Sequence, residues 1–202
     1  MKILSYDDSG YARFVKSLKR RAIPTDDVRE SVTTIISEVA KRGDAALVDF
    51  AKKFDGATLK KSQLRVSDKE LAAALSQVSK ETKAAVAASR KNIHAFAKRS
   101  MRKDWSYRNA EGAEVGERFV PFDRVGIYVP GGKAPLVSTA LRTGAFAHAA
   151  GVPEIIAATP PGADGSVNPD LLYALSEAGA TEIYKMGGAH GIAALSLGTK
   201  SI

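Results

Sequence analysis

Two stretches of this sequence share the pattern Ile-Tyr-x-x-Gly-Gly, at residues 127–132 and again, 56 residues later, at 183–188. In each, an apolar run typical of a buried strand precedes two glycines and a segment predicted to be helical. Glycine lets a ligand approach main-chain N–H groups, and a helix that begins there directs its positive dipole end to the same place. Together the two turns indicate a ligand-binding crevice at the carboxyl ends of parallel strands. Taken singly, each pair of glycines predicts only a tight turn.

The segments around these turns alternate between predicted strands and predicted helices. The predicted strands are 125–129, 154–159 and 182–186, and the predicted helices are 135–150, 169–178 and 189–197. Gly151 and Gly179 follow helices where a residue at positive φ is favoured. The βαβαβα order predicts a parallel sheet with right-handed crossovers, which resembles half of a mononucleotide-binding fold. It leaves a sheet edge for a partner or a missing segment to cover. The loop 160–165 is expected to be a simple surface connection.

The usual dinucleotide fingerprint is absent from this part of the chain. No G-x-G-x-x-G motif with an acidic ribose partner follows a predicted strand. A dinucleotide would therefore be bound in a way that differs from the standard Rossmann manner.

The first 122 residues are predicted to be mainly helical. A short amphipathic helix at 8–22 ends before Pro24, and Thr25 is expected to cap the next helix. That helix carries an apolar stripe of Val28, Val32, Ile35, Ile36 and Val39. After it, Gly43 ends the helix and Asp44 is expected to cap another.

The remainder of this region combines short extended segments with helices. A brief strand is predicted at 64–66, and Ser67 opens a capping box for the following helix. A long helix is predicted at 80–98, with Ala84, Ala88, Ile93 and Phe96 as its buried edge. Alternating aromatic and β-branched residues around a central turn predict a β-hairpin near 105–121. The predicted fold class is thus α/β, a helical part followed by a parallel sheet.

Charge and composition exclude several classes of function. The net charge is +8, but residues 1–122 hold 25 basic and 16 acidic side chains, whereas residues 123–202 hold 5 and 6. The basic residues are spread along helices without interleaved aromatic residues, so we expect no nucleic-acid binding. Cysteine is absent, which excludes disulfides and thiolate chemistry. No signal peptide or membrane span is predicted, so a cytoplasmic location and no membrane partner are expected.

Several stretches together resemble the N-terminal half of the histidinol dehydrogenase family. The longest is VGIYVPGGKAP at 125–135. The others lie at 41–47, 53–55, 138–139, 150–152, 159–161, 187–189, 192–195 and 198–199. The likeness extends over essentially the whole sequence, and the order of the glycine turns makes it specific.

The resemblance implies a function and a domain organisation. Members oxidise L-histidinol, through L-histidinal, to L-histidine with NAD, use zinc to orient the substrate, and form homodimers. It implies a dimer-associated arm at 1–24, a first-domain part at 25–122 and an incomplete Rossmann-like NAD-binding domain at 123–202. The implied cofactor-binding residues are Tyr128, Gly131, Gly132, Gly187, Gly188 and His190. The family's zinc ligands and catalytic residues lie beyond residue 202, so no catalytic or metal-binding residue is assigned and the chain alone is expected to be inactive.

One position departs from the family pattern. His190 stands where the family has a glutamine, and Gly191 follows where the family has alanine. Imidazole offers one donor and one acceptor on a rigid ring, so cofactor binding is expected to be altered. Two alternatives stay open: a divergent member that oxidises another small polar alcohol, and a non-catalytic nucleotide-binding or interaction module. The reading frame after Ile202 would discriminate between an enzyme and a module.

Overall fold

The computed structural model describes residues 3–19, 25–131 and 135–202. The N-terminal helices are α1 (Tyr11–Lys19), α2 (Asp26–Arg42), α3 (Asp44–Phe50), α4 (Asp68–Gln77) and α5 (Lys80–Ser100). A π-helical turn (Ala51–Asp55) and a 3-10 turn (Lys61–Gln63) lie between α3 and α4. The later elements are β1 (Trp105–Arg108), β2 (Glu114–Glu117), β3 (Arg124–Tyr128), α6 (Val137–Ala149), β4 (Glu154–Thr159), α7 (Pro169–Glu177), β5 (Glu182–Lys185) and α8 (Gly188–Leu197).

The second part of the chain is a three-stranded parallel sheet. The strand order is β3-β4-β5, with Val125 opposite Ile155 and Ala157 opposite Ile183. The central strand β4 is buried from Ile155 to Thr159, which explains why its sequence shows no polar alternation. The predicted α/β fold class is therefore confirmed, and Gly151 and Gly179 have the expected positive φ values of 86° and 94°.

Helices cover both faces of this sheet. One hydrophobic core joins Val86 of α5 and Leu141 of α6 to Ile155 and Leu172, and α4 packs on α7 in the same layer. The other core joins Leu47 of α3 to the opposite sheet face, with α2 packed on α8. Each core draws residues from the helical part and from the strand–helix part, so the sheet is held between two helical layers.

The segment at 64–66 lies along the outer edge of β5. The N–H of Val66 donates to the carbonyl of Ile183 at 2.8 Å, and the N–H of Lys185 donates to the carbonyl of Leu64 at 2.7 Å. The predicted brief strand is wrong in its extent, because the segment makes only a single antiparallel bridge, between Arg65 and Tyr184. The 3-10 turn before it and α4 after it leave too few extended residues for a ladder.

The apolar stripe predicted for α2 lies on a helix as expected, but it is only partly buried. Val39 is buried, but Val28, Val32 and Ile36 are 48%, 36% and 43% exposed. Periodicity identifies an apolar face of a helix without identifying what covers it, and only the C-terminal end of α2 reaches the core.

The predicted inner face of α5 is also wrong. Ala84 and Ala88 are exposed and Phe96 is 67% exposed, whereas Val86 and Ala97 are buried. Ile93 is half-buried and packs on the core. Because alanine is small and common in helices, its spacing in α5 did not distinguish the two faces.

The helix starts were predicted with mixed success. The Ser67 hydroxyl accepts the N–H of Glu70 at 3.2 Å, which confirms the cap of α4. Thr25 occupies the N-cap position of α2 without a side-chain hydrogen bond, and Gly43, not Asp44, is the N-cap of α3. The hairpin β1–β2 is confirmed and its side chains are exposed. The first helix begins at Tyr11, three residues later than predicted, and residues 20–24 of the arm lie outside the described residues.

Asp44 instead anchors the segment that follows α8. Its carboxylate accepts hydrogen bonds from the hydroxyls of Thr199 and Ser201 at 2.5 and 2.7 Å and from the Ser201 N–H at 3.3 Å. Burial acts to raise the pKa of Asp44, but these hydrogen bonds outweigh it and hold the pKa below the ordinary 3.8.

Asp44→Asn is expected to lower the free energy of unfolding by about 1.5–3 kcal/mol at pH 7, the range for hydrogen bonds to a charged group. Because the folded-state pKa is depressed, the stabilisation is present above the unfolded value of 3.8 and is lost as the pH falls through the folded value. Urea unfolding between pH 7 and pH 2 measures this. The difference between wild type and variant should shrink in acid, and a difference independent of pH would contradict the prediction.

Candidate functional site

The two glycine turns lie side by side at the carboxyl edge of the sheet. Hydrogen bonds of the sheet continue past the strand ends into both turns. The Val129 N–H donates to the Ala158 carbonyl and the Met186 N–H to the Thr159 carbonyl, each at 2.9 Å. The end of β4 is thus bonded to the start of each turn. The two turns therefore lie on either side of β4, and together with its end they form the predicted crevice.

Both turns pack against Pro160, the residue that follows β4. A Cβ built on Gly131 would lie 2.4 Å from Cγ of Pro160, and one built on Gly187 would lie 2.7 Å from its Cβ. Any larger residue would therefore push the turns away from the proline. Gly188 has a φ of 50°, in the left-handed region that favours glycine. Gly132 lies outside the described residues.

Tyr128 joins the two turns. Its hydroxyl accepts the N–H of Gly188 at 3.0 Å, across the edge of the sheet, and its ring is half-buried. Tyr184, the equivalent residue in the second copy of the pattern, is instead buried. Burial, followed by its hydrogen bond with Glu182, raises the pKa of Tyr184 to about 12. The two tyrosines therefore differ in role, and only Tyr128 is available at the crevice.

A cleft of about 680 Å³ opens beside these turns. The described residues that line it are Phe54, Asp55, Pro130, Gly131, Pro135, Thr159, Pro160, Pro161, Gly162, Ser166, Val167, Asn168, Pro169 and Leu171. The loop at 160–165 was expected to be a simple surface connection, which is wrong, because its first three residues form one wall. The N-terminus of α7 forms another, with the Asn168 side-chain oxygen capping the N–H groups of Asp170 and Leu171 at 2.9 and 3.3 Å.

His190 lies beneath the second turn, and its side chain is only 1% exposed. Its Nε2 accepts the N–H of Gly187 at 3.2 Å, which caps the first turn of α8. The ring packs against two aromatic side chains, with its centroid 5.7 Å from that of Phe50 and 6.1 Å from that of Phe54. In this conformation His190 shapes the turn from below, and a direct contact with a cofactor stays a prediction.

Three buried polar atoms have no hydrogen-bond partner among the described residues. They are Oδ2 of Asp55, Oγ1 of Thr159 and Nδ1 of His190. Asp55 and Thr159 line the cleft, and His190 Nε2 lies 3.5 Å from Asp55 Oδ2. Buried polar groups are normally hydrogen-bonded, so their concentration at one place indicates a site that receives polar groups from elsewhere. These atoms, together with glycines that leave no room for a Cβ, fit a polar ligand held close to the main chain.

A buried ion pair supports the same edge from β5. The Lys185 Nζ lies 2.9 Å from both carboxylate oxygens of Glu70, in α4. The side chain of Lys185 is 6% exposed and that of Glu70 is 30% exposed. Because the carboxylate neutralises this lysine, we regard the pair as a structural connection between α4 and the sheet edge.

Comparisons with known proteins place the chain in a family. The family model described as Histidinol dehydrogenase matches residues 18–202. The chain is 46% identical to the histidinol dehydrogenase of Synechococcus sp., with 85% of the chain and 40% of that protein aligned. It is 38% identical to that of Syntrophotalea carbinolica, over 100% of the chain and 47% of that protein.

The chain belongs to the histidinol dehydrogenase family. A crystal structure of histidinol dehydrogenase from Elizabethkingia anophelis matches with a TM-score of 0.83 and 35% identity, over 90% of this chain and 41% of that one. The chain therefore spans less than half the length of the family members to which it was compared.

Sequence reasoning found part of the site of this family member. Tyr128, Gly131, Gly187 and Gly188 are brought together as expected. Asp55 and Thr159 also line the cleft but were not among the predicted residues, although the Lys-Phe-Asp stretch at 53–55 belongs to the family resemblance. Within the described ranges, no three His, Cys, Asp or Glu side chains are grouped closely enough to hold a metal ion. Nor does any helix there combine the length and apolarity needed to cross a bilayer.

Proposed function

We propose that this chain carries the NAD-binding part of an enzyme that oxidises L-histidinol, through L-histidinal, to L-histidine. The observation that carries the proposal is the convergence of the two glycine turns on Pro160 at the carboxyl edge of a parallel sheet, in a chain of the histidinol dehydrogenase family. Crevices at this edge of open α/β sheets are the usual place for nucleotide cofactors.

NAD would supply a hydride acceptor for the two oxidation steps. The residues that would hold it are Tyr128 at the junction of the turns, the main chain at Gly131 and Gly187, and the first turn of α8 at Gly188. The glycines let the main chain approach the cofactor closely, and Tyr128 fixes the distance between the turns through the Gly188 N–H. Gly132 and His190 complete the proposed set, His190 by holding the Gly187 N–H from beneath.

The remaining chemistry is proposed for the rest of the protein. The family resemblance assigns zinc, its ligands and the proton-transferring residues to the segment beyond residue 202. The described residues do not offer a zinc site, so we assign no catalytic step to them. Homodimerisation through the N-terminal arm, the domain limits at 24 and 122, and a cytoplasmic location are likewise proposed from the resemblance.

Tyr128→Ala is expected to weaken NAD binding by about 10-fold or more, as loss of a buried contact and a hydrogen bond implies. The variant removes the ring and frees the Gly188 N–H that the hydroxyl now accepts. Isothermal titration calorimetry of NAD into this chain measures the dissociation constant.

Tyr107→Ala serves as the matched control, because Tyr107 lies in the hairpin and is 57% exposed. It should leave NAD affinity unchanged. If the wild-type chain does not bind NAD, or if both tyrosine variants bind it as the wild type does, the crevice is not the cofactor site of this chain.

A further inference from the structure

We propose that Asp55 recognises the adenosine ribose hydroxyls of the cofactor and discriminates against a cofactor phosphorylated on that ribose. This inference rests on the proposed function and identifies a specificity-determining residue within the same cleft. Neither the glycine turns nor the family resemblance assigns a role to Asp55.

Asp55 reaches the sheet edge from the helical part of the chain. It is the last residue of the π-helical turn Ala51–Asp55, and it lines the cleft together with Gly131 and Thr159. A Cβ built on Gly187 would lie 2.9 Å from Oδ1 and 3.3 Å from Oδ2 of Asp55. The carboxylate therefore lies directly against the second glycine turn, in a place that only glycine leaves open.

One carboxylate oxygen lacks the hydrogen bond that a buried acid requires. The side chain is 12% exposed, and its buried Oδ2 has no hydrogen-bond partner among the described residues. The nearest candidate is Nε2 of His190 at 3.5 Å, but that nitrogen already accepts the Gly187 N–H. A neutral imidazole bonded in this way carries its proton on Nδ1 and cannot donate to Asp55 from Nε2. A donor from a ligand would supply a hydrogen bond to a carboxylate that the described residues leave unsatisfied.

The chemistry of the cleft selects a hydroxyl-bearing ligand. Asp55 is the only charged residue among the described residues that line it, and an ionised carboxylate only accepts hydrogen bonds. The Asp55 Oδ1, which is not fully buried as Oδ2 is, can accept a hydrogen bond from one of two adjacent ribose hydroxyls. Phe54, 52% exposed on the same wall, offers apolar surface to a base.

A phosphate in the place of one hydroxyl would meet the negative charge of Asp55, and no cation is among the described residues that line the cleft. The buried Lys185 does not offset it, because Glu70 neutralises this lysine at 2.9 Å. In Rossmann folds, an acidic residue that hydrogen-bonds the adenosine ribose selects NAD over NADP, and that residue follows a strand of the sheet. Here the acid would come from a separate helical segment, the turn Ala51–Asp55.

The test compares NAD, NADP, AMP and 2′-deoxy-AMP by calorimetry on the wild-type chain and on Asp55→Asn. The wild type is expected to bind NAD about 10- to 100-fold more tightly than NADP, and AMP more tightly than 2′-deoxy-AMP by a similar factor, as for hydrogen bonds to a charged group. Asp55→Asn should lose most of both preferences, mainly by weaker NAD and AMP binding. Asp123→Asn, an exposed acid before β3 at the opposite edge of the sheet, should behave as the wild type.

Two outcomes separate this inference from the proposed function. If the wild-type chain binds neither NAD nor AMP, the proposed function fails and the role of Asp55 fails with it. If NAD binds but Asp55→Asn retains the full preference over NADP, only the role of Asp55 is overturned. If Asp55→Asn unfolds, the comparison of AMP with 2′-deoxy-AMP on the wild-type chain still tests the inference. Equal affinity of the wild type for these two ligands would overturn it.

Discussion

Glu70→Ala is expected to lower the free energy of unfolding by about 3–5 kcal/mol. This is the largest loss of stability that we predict for a single substitution in this chain. The Lys185 side chain is 6% exposed, and its ammonium group bonds both carboxylate oxygens of Glu70. Removing the carboxylate leaves a buried positive charge without a partner, at the end of the strand that carries the second glycine turn. Urea denaturation followed by circular dichroism measures the change.

Two comparisons make this prediction specific to a buried pair. Lys185→Met should cost less than Glu70→Ala, because Glu70 is 30% exposed and can turn to water when its partner is removed. Combining Lys185→Met with Glu70→Leu should restore most of the stability, as apolar replacements of buried pairs do. Glu177→Ala is the matched control, since its 3.4 Å pair with Arg90 is partly exposed and is expected to contribute less than about 1 kcal/mol. Equal costs for Glu70→Ala and Glu177→Ala would contradict the account.

Gly187→Ala is expected to have the largest effect on the cleft. The new Cβ would lie 2.7 Å from Cβ of Pro160 and 2.9 Å from Oδ1 of Asp55. Overpacking of this kind costs about 1–3 kcal/mol, and relief requires that the turn move away from both residues. Since Tyr128 and His190 each hold an N–H of this turn, we also expect NAD binding to weaken by about 10-fold or more.

The control for this variant is Gly10→Ala. A Cβ on Gly10 would meet only the side chain of Leu4, at an ordinary 3.9 Å, so neither stability nor NAD affinity should change appreciably. Thermal melts and NAD titrations on the two variants measure both effects. A Gly187→Ala chain with wild-type melting temperature and NAD affinity would mean that the turn is more adaptable than its packing indicates.

Local sequence was sufficient for the parallel sheet and its connections. The strand β4 was predicted at 154–159 and is observed at Glu154–Thr159, because an uninterrupted apolar run suits only a strand covered on both faces. The glycines at 151 and 179, and the cap at Ser67, follow from backbone preferences of single residues. The strand, the glycine conformations and the helix cap each depend on a few neighbouring residues, so they can be predicted from the sequence alone.

The faces of α2 and α5 could not be predicted in the same way. Val28, Val32 and Ile36 form a helical stripe that is exposed in this chain, while Val86 and Ala97 are the buried residues of α5. Helical periodicity records that a face is apolar, but which surface meets it depends on how distant elements pack.

For the site, the sequence alone determined the two glycine turns and the place where they meet, because parallel strands bring their carboxyl ends to one edge. Only the tertiary structure decided which other groups reach that edge. Asp55 arrives from a helical turn far away in the chain, Lys185 is neutralised by Glu70 of α4, and His190 turns beneath the glycines instead of into the cleft. Each of these depends on contacts between residues distant in sequence, which no local pattern encodes.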